Sequence, residues 1–517
     1  MATLEQGEDG IASSQRLSIN LPKLRWTQIL AISIFWLALN FHWSALGIII
    51  LPSQVFKIVG ELNKGEALAF VLVPGAFVSL FANPLFGLLS DKTRGRLAVW
   101  GRRRPYILLG TLVNVGGLVW MAASRDIVSL AVAYVLVQFS SNAATAPFHA
   151  LLPDVVPEEQ RGLASGVMGL LSIVGSIGGV IVGGLFIDAS RPLPAYEQGL
   201  WLAYGLIIAV LVAFMLITIF SVNERKGVSA QMAEQEARQA DSVAATHADM
   251  GIVQEKTVRR AWLSPSVIRN VVGTVIVAGG VWIVMAVWNR FAGGVQISGD
   301  VQQVVLEVII TIGILRLFDF NPRRDPDFAW VLLTRLVMMM GIYTVQDFLQ
   351  FYMQDAVKVA HPEQQTTNFI IILSLTSLFS AFGAGWLSDR FGRKRMVYVA
   401  GGFMAVVGLI FIITQSLPIV LAAGAIFGIG YGAYVSVDWA LVADVLPSHS
   451  NYARDMGVWN ISLSLPQVIA PVIGGPLIDS FTRSGHPVLG FQLLFAMSIA
   501  YCLIGTVTVR YIRGVKR

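Results

Sequence analysis

The sequence GLLSD at residues 87–91, with GRRR at residues 101–104, recurs as GWLSD at residues 385–389, with GRKR at residues 392–395. Each copy joins two long apolar stretches, and the copies lie about half a chain apart. Glycine permits the close approach that a tight helix-to-helix turn needs, and clustered Arg and Lys resist passage through a membrane. Residues 91–104 alone carry six basic residues and one acid. The pattern predicts a duplicated membrane protein whose basic turns stay in the cytoplasm.

Composition places the chain in lipid rather than in water. With 55% hydrophobic and 13% charged residues in 517 positions, it lies far from soluble proteins, in which about 25% of residues are charged. The net charge of +6 does not indicate nucleic acid, because the basic residues gather in short turns without interleaved aromatic residues. The single cysteine, Cys502, lies in an apolar stretch, so an intramolecular disulfide is impossible.

Neither a cofactor nor catalytic chemistry is indicated. The six histidines show no metal-ligand spacing with cysteine or with carboxylates. No loop brings together a nucleophile, a base and an orienting group. We therefore expect no metal, no cofactor and no enzymatic activity.

Apolar stretches of membrane-crossing length occur in two sets of six. About 20 residues at 1.5 Å per residue cross a hydrocarbon core of roughly 30 Å. The sets cover residues 29–51, 68–89, 105–123, 128–152, 163–187 and 200–222, then 328–353, 369–387, 396–414, 419–442, 456–478 and 488–509. A further pair, 267–288 and 301–318, lies between them, and Glu307 and Arg316 interrupt its second member. The predicted fold is an all-α polytopic membrane protein with fourteen spans; alternatively, the pair lies on or dips into the bilayer surface.

These stretches divide the chain into predicted domains. They are a tail at 1–26, a six-helix half at 27–222, a linker at 223–264, an inserted transmembrane hairpin at 265–327, a second six-helix half at 328–510 and a tail at 511–517. Residues 1–26 are polar and lack a basic-then-apolar leader, so no secretory signal is expected. The Lys and Arg bias of the turns predicts that both termini are cytoplasmic, in a plasma membrane or a bacterial inner membrane.

Two more repeats support the duplication. ALLPDVVP at residues 150–157 recurs as ALVADVLP at 440–447, and GGLFID at 183–188 recurs as GGPLID at 474–479. Two six-helix halves with paired motifs in the same order resemble the major facilitator superfamily over nearly the whole chain. The resemblance implies a substrate cavity between the halves near the bilayer midplane, which opens alternately to each side as the halves rock.

Finer motifs resemble one group within that superfamily. SDKT at residues 90–93, GRRRP at 101–105 and PEEQRG at 157–162 look like the glycoside-pentoside-hexuronide cation symporters and the related sucrose transporters. Melibiose-type members of that group use carboxylates in the first two helices for cation coupling. The spans 29–51 and 68–89 contain no acid, so sodium coupling of that type is not indicated.

Polar and aromatic residues recur at helical spacing within the spans. Such stripes face lipid only at a cost, and rings beside amides and acids suit a sugar or another polyol. The predicted substrate-binding residues are Trp36, Asn40, Trp43, Gln138, Asn142, Tyr343, Asp347, Gln350, Tyr431, Tyr434, Asn460 and Gln467. Alternatively, these side chains only tie helices together by hydrogen bonds.

The candidates for proton coupling are Asp438, Asp347 and His149. An unpaired acid within a span is costly, and it is usually retained for work on an ion or a substrate. Asp438 lies nearer the cytoplasm than the midplane, so it could instead pair with a basic group as a gate. His149 could simply hydrogen-bond a backbone carbonyl.

A second set of residues is predicted to gate the cavity. An Asp among Arg groups at a helix end makes a latch that can form and break. The predicted gating residues are Asp91, Arg102, Arg103, Arg104, Asp154, Arg161, Asp389, Arg393, Arg395 and Asp444.

The leading functional hypothesis is a secondary active transporter of a small hydroxylated solute, sugar-like or glycoside-like, that works by proton symport. Its expected partners are membrane lipid, a small-molecule substrate and a co-transported proton, without nucleic acid, and we expect a monomer. Two alternatives stay open: a transporter of an amphiphile such as a lipid, drug or pigment precursor, and a membrane scaffold or receptor that transports nothing.

Overall fold

The computed structural model describes residues 23–91, 93, 101–221, 265–291, 299–317, 320, 322–445 and 452–513. All regular structure within these residues is helical. In chain order the helices are α1 Trp26–Ser44, α2 Leu51–Val59, α3 Lys64–Asp91, α4 Arg104–Ala123, α5 Ile127–Val155, α6 Glu158–Phe186, α7 Leu193–Ser221, α8 Pro265–Phe291, α9 Gly299–Leu317, α10 Pro326–Gln346, α11 Leu349–Asp355, α12 Pro362–Phe391, α13 Arg393–Ile413, α14 Leu417–Val445, α15 Tyr452–Arg483 and α16 Pro487–Thr508. A π-helical segment, Ala45–Ile50, joins α1 to α2.

Eleven segments of the described chain are long and apolar enough to cross a membrane. The predicted spans outside this set correspond to α3, α8 and α9. The all-α, multi-pass architecture predicted from the sequence is thus confirmed, and the count of fourteen spans stays a prediction.

The first apolar segment runs further than the sequence pattern indicated. The prediction ended this span at residue 51, directly before Pro52, whereas the structure continues the helical path from Trp26 to Val59. Proline is accommodated at the first positions of a helix when another group satisfies the carbonyl that its missing N–H group cannot bond. Pro52 occupies such a position at the start of α2, directly after the π-helical segment. The predicted end of the first span was therefore wrong.

Equivalent helices pack together in each half. In the first half, α1 packs on α6, α3 on α5, and α4 on both α5 and α7. In the second half, α10 packs on α15, α12 on α14, and α13 on both α14 and α16. The halves join where α3 packs on α15 and where α6 packs on α12. The duplication therefore extends from the sequence repeats to the helix packing.

Glycines allow α6 to lie backbone to backbone against α1. A Cβ atom at Gly175 would lie 3.1 Å from the carbonyl carbon of Leu37, and one at Gly179 would lie 3.0 Å from that of Phe41. Small residues at helix interfaces permit this approach within a membrane.

The two helices between the halves pack on each other. The second of them, α9, also packs on α15 and on α3. The pair therefore lies beside one of the two seams that join the halves. Its full crossing of the bilayer stays a prediction.

Candidate substrate cavity

A cavity of about 440 Å³ lies between the two halves. Small-molecule sites usually have volumes of about 300–1,000 Å³. The first half contributes α1, α3 and α5 to the wall, and the second contributes α10, the turn after it, and α15. The described lining residues are Trp36, Leu39, Asn40, Trp43, Ser44, Gly47, Ile48, Leu72, Ala76, Ser79, Tyr134, Gln138, Ser141, Asn142, Thr145, Tyr343, Gln346, Asp347, Ser464 and Gln467.

Most of the predicted substrate-binding residues meet at this cavity. Those in the lining are Trp36, Asn40, Trp43, Gln138, Asn142, Tyr343, Asp347 and Gln467. Gln350, Tyr431 and Tyr434 lie outside the described lining, and the side chain of Asn460 lies outside the described residues. The structure adds Tyr134, which lies one turn before Gln138 and whose hydroxyl accepts a hydrogen bond from Gln138 Nε2 at 2.9 Å. Its position on the predicted stripe of α5 was the signal that could have identified it.

Neighbouring helices hold the polar groups of the lining in place. Ser172 Oγ donates to Asn40 Oδ1 at 2.6 Å, which joins α6 to α1. Gln467 Nε2 donates to the Tyr343 hydroxyl at 2.7 Å, which joins α15 to α10. These side chains therefore tie helices together and also line the cavity, and their contact with a substrate stays a prediction.

His149 lies on α5 between the cavity and the helix end that binds the basic turn. Its ring centroid lies 4.7 Å from that of Trp36, and the side chain is exposed. It lies on the same face of α5 as Asn142, which lines the cavity. This face therefore runs from the cavity to the surface at the end of the bundle that carries Arg102. We call this end the basic end, and we call the opposite end, where Lys64 of the first half bonds Asp355 of the second, the closed end.

Asp347 lies at a break in the first long segment of the second half. Helix α10 ends at Gln346 and α11 begins at Leu349, so Asp347 and Phe348 form a turn within an apolar segment. No described residue donates a hydrogen bond to the Asp347 carboxylate, and this is the only charged group in the described lining. Within the described residues, no set of three or more His, Cys, Asp or Glu could hold a metal ion. An unpaired acid inside a span is costly, which favours a functional role.

Gln350 leaves the predicted stripe because that turn changes the register of the helix. The Gln350 side chain is 3% exposed. With the amide oriented so that its nitrogen points toward the π-helical segment, this nitrogen donates hydrogen bonds to the carbonyls of Ile48 and Ile49, at 3.1 Å each. Pro52 supplies the reason, since its nitrogen carries no hydrogen and cannot bond the carbonyl of Ile48, four residues earlier. A side chain of one half therefore satisfies carbonyls of the other half just beyond the cavity.

Asp438 is held by an ion pair inside the second half. Its Oδ2 accepts a short hydrogen bond from Arg335 Nη1, and its Oδ1 accepts one from the Tyr434 hydroxyl at 3.3 Å. The Arg335 guanidinium also stacks 3.4 Å above the ring of Trp459. The Arg335 and Asp438 side chains are 5% and 4% exposed. This geometry fits the alternative in which Asp438 pairs with a basic group, and its coupling role stays a prediction.

The described acid that binds the basic turn is Asp154, at the end of α5. Its Oδ2 accepts hydrogen bonds from Arg102 Nη2 at 2.8 Å and from Arg103 Nε at 3.1 Å. Arg103 Nη1 also donates to Ser90 Oγ at 2.6 Å. Charge-assisted bonds of this kind suit a latch, and the gating role of these residues stays a prediction. Of the other predicted gating residues, the side chains of Asp91, Arg161, Asp389 and Asp444 lie outside the described residues, while Arg104, Arg393 and Arg395 lie at the starts of α4 and α13.

The sequence did not reveal the charged residues that join the halves at the closed end. Lys64 Nζ lies 2.6 Å from Asp355 Oδ1, Glu363 Oε1 accepts from Ser53 Oγ at 2.9 Å, and Asp479 accepts backbone N–H groups of α3. Asp479 ends one of the repeated segments, which was an available signal. The others lie among turns of mixed charge, which show no pattern in the sequence.

Comparison with known proteins places this architecture among transporters. Residues 37–302 match the family described as MFS/sugar transport protein, and residues 331–517 match the family described as Major Facilitator Superfamily. A solved structure of a variant of the nucleoside transporter NupG superposes with a TM-score of 0.61 at 10% identity, over 94% of this chain and 100% of that one. At such low identity this similarity concerns the fold alone.

Curated relatives match over shorter stretches. Proton-associated sugar transporter A of Homo sapiens is 28% identical over 190 residues, which is 34% of this chain and 23% of the relative. Multidrug efflux pump LfrA of Mycolicibacterium smegmatis is 23% identical over 162 residues, which is 31% of this chain and 32% of the relative. The matched stretches thus span less than two thirds of the length of these relatives.

Proposed function

Because the chain belongs to the major facilitator superfamily, we propose that it is a transporter that moves a small, hydroxylated, non-anionic solute together with a proton. The single observation that supports this most strongly is the carboxylate of Asp347, to which no described residue donates a hydrogen bond and which faces a cavity walled by aromatic rings and amides. The substrate, the coupling ion and the sidedness are all part of this proposal.

The chemistry of the wall supports the class of solute. Trp36, Trp43 and Tyr134 offer aromatic faces to the C–H faces of a sugar ring. The amides of Gln138 and Asn142 offer donors and acceptors to its hydroxyl groups. The described lining contains one acid and no Lys or Arg, so an anionic solute would meet a carboxylate without a compensating cation. Neutral sugars and glycosides fit this arrangement better than sugar acids or phosphorylated sugars.

Asp347 is the residue to which we assign proton coupling. It can take up a proton from one side and release it to the other without breaking an ion pair, since no described residue bonds its carboxylate. Asp438 would first have to release Arg335. In this proposal the basic end faces the cytoplasm, because clustered Arg and Lys resist translocation. The closed end then faces outward, and the structure represents an inward-open state.

The test is uptake into proteoliposomes under an imposed pH gradient. The panel contains neutral sugars and glycosides, a sugar acid of matched size and an apolar dye. We expect the gradient to drive accumulation of a neutral sugar but not of the sugar acid. Accumulation of the dye alone would replace the proposal by amphiphile transport, and absence of any flux would favour a scaffold or receptor.

Variants assign the role of Asp347 within the same assay. Asp347→Asn should preserve exchange of the sugar across the membrane and lower its accumulation at least about tenfold, because a neutral amide cannot release a proton. Tyr343→Phe is the matched control, since it removes one hydroxyl of the lining and should weaken affinity while leaving coupling intact. Unchanged accumulation by Asp347→Asn would disprove the assignment.

A further inference from the structure

The repeated segment GGxxID has a structural role that the duplication alone does not explain. Its copies at residues 183–188 and 474–479 occupy equivalent places, at the closed end of α6 and α15. These are the helices that form the two seams, since α6 packs on α12 and α15 packs on α3. Each copy therefore crosses a helix of the opposite half.

At the seam between α3 and α15 the two backbones touch. A Cβ atom at Gly65 would lie 2.6 Å from the carbonyl oxygen of Gly475, and one at Gly475 would lie 2.6 Å from the carbonyl carbon of Gly65. Such distances leave no space for any side chain, so only glycine permits this approach.

Asp479 locks the same crossing. Its carboxylate accepts hydrogen bonds from the backbone N–H groups of Gly65 at 3.0 Å and Glu66 at 2.7 Å, and the residue is fully buried. The first N–H groups of a helix have no partner within the helix, and a carboxylate there is favoured by the helix dipole. Next to this bond, Lys64 forms its buried ion pair with Asp355 of the second half.

The copy at the other seam meets a side chain rather than backbone. A Cβ atom at Gly184 would lie 2.8 Å from the Cβ atom of Thr367, whose hydroxyl donates to the carbonyl of Val180 at 2.9 Å. Asp188 lies 3.2 Å from the ring of His361, the residue before α12. Burial opposes ionisation of Asp188, but bonds from Ser190 and the nearby cations hold the pKa of that carboxyl below its usual range. Asp188 thus stays ionised, and no described backbone N–H group of the opposite half donates to it, in contrast to Asp479. The backbone bond across this seam runs from the N–H group of Ala189 to Glu363 of the second half, at 3.1 Å.

We propose that the two GGxxID segments are a clasp that keeps the closed end shut, with the Asp479 copy as its principal lock. The glycines set how closely the halves approach, and Asp479 binds the start of α3 once they have met. Opening toward this end requires that Asp479 release α3 and that Lys64 release Asp355. This inference depends on the proposed transport by alternating access. The clasp itself can be tested without a sugar or a proton gradient.

Distances between spin labels test the clasp without any substrate. The background is Cys502→Ser, since Cys502 is the only cysteine. One labelled pair, Leu62→Cys with Ser484→Cys, spans the closed end, and a second, Ser221→Cys with Phe391→Cys, spans the basic end. All four positions are exposed, and the two members of each pair belong to opposite halves.

The variants to compare are Asp479→Asn and Gly475→Ala, with Asp188→Asn as the matched control. We expect either change at the α3 seam to raise the population with a long closed-end distance by about tenfold, because a charge-assisted bond or the close approach is lost. The basic-end distance should shorten in the same population, and Asp188→Asn should change both distances less. If both α3-seam variants leave the closed-end distances unchanged, or if they lengthen both pairs alike, the clasp is refuted. Because no sugar is present, failure of the uptake assay would leave this result standing.

Discussion

The ion pair between Arg335 and Asp438 allows a quantitative test of what holds the second half together. Both side chains are almost completely buried. Removing one partner of a buried pair leaves an uncompensated charge, at a cost of about 3–5 kcal/mol. For a domain of roughly 150–250 residues, each kcal/mol lowers the melting temperature by about 2–4 °C. We therefore expect Asp438→Asn to lower the melting temperature by roughly 6 °C or more.

Cys502 provides the assay. It is 1% exposed in α16, which packs on the helix that carries Arg335. A maleimide dye that fluoresces on reaction with thiols will therefore report unfolding near the pair. Asp126→Asn, an exposed change of the same chemistry, is the control and should leave the melting temperature unchanged.

A double-mutant cycle decides whether the two residues act together. Arg335→Gln combined with Asp438→Asn should lose clearly less stability than the sum of the single changes, because the second change removes the charge that the first left unpaired. Full additivity, or a melting temperature of Asp438→Asn equal to that of the Asp126→Asn control, would refute this account of the pair.

Three further predictions concern the remaining elements. Asp154→Asn should slow sugar exchange by about tenfold, because the basic turn loses its charge-assisted acceptor. Sugar binding, measured by fluorescence titration, should be retained, and loss of binding with normal exchange would contradict this prediction. Gly432→Ala should lower the melting temperature, since the new Cβ atom would lie 2.8 Å from a backbone carbonyl carbon of α12, whereas Gly402→Ala, with no atom within 4 Å, should not. Deleting residues 265–327 with a flexible linker in their place should leave sugar preference in the uptake panel unchanged, because each half contains its own packing pairs; a changed preference would place the inserted pair in the site.

Local periodicity was sufficient to predict much of the cavity. Trp36, Asn40 and Trp43 lie on one continuous helix, and Gln138 and Asn142 lie on another, so their spacing alone places each group on one face. The apolar stretches and the repeats likewise predicted the two halves. These features depend on residues that are close in sequence.

Features that depend on distant residues or on a change of register were not predictable in this way. The turn after α10 moves Gln350 away from the predicted stripe. The sequence does not reveal this turn, because the apolar pattern continues through it. Lys64 and Asp355 are 291 residues apart, so neither sequence neighbourhood identifies the other as its partner. Asp438 was a candidate from its type and position, but only the fold shows Arg335 beside it.

The first long segment of each half is irregular at a similar position along its length. In the first half the irregularity is the π-helical segment Ala45–Ile50, and in the second it is the turn at Asp347. The two irregular points adjoin the cavity and contact each other through Gln350. Both segments therefore have a place to bend where the solute would bind, and a bend in one changes the hydrogen-bond partners offered to the other. A solute in the cavity would contact the two helices at the points where they can bend, so its binding would change their curvature directly.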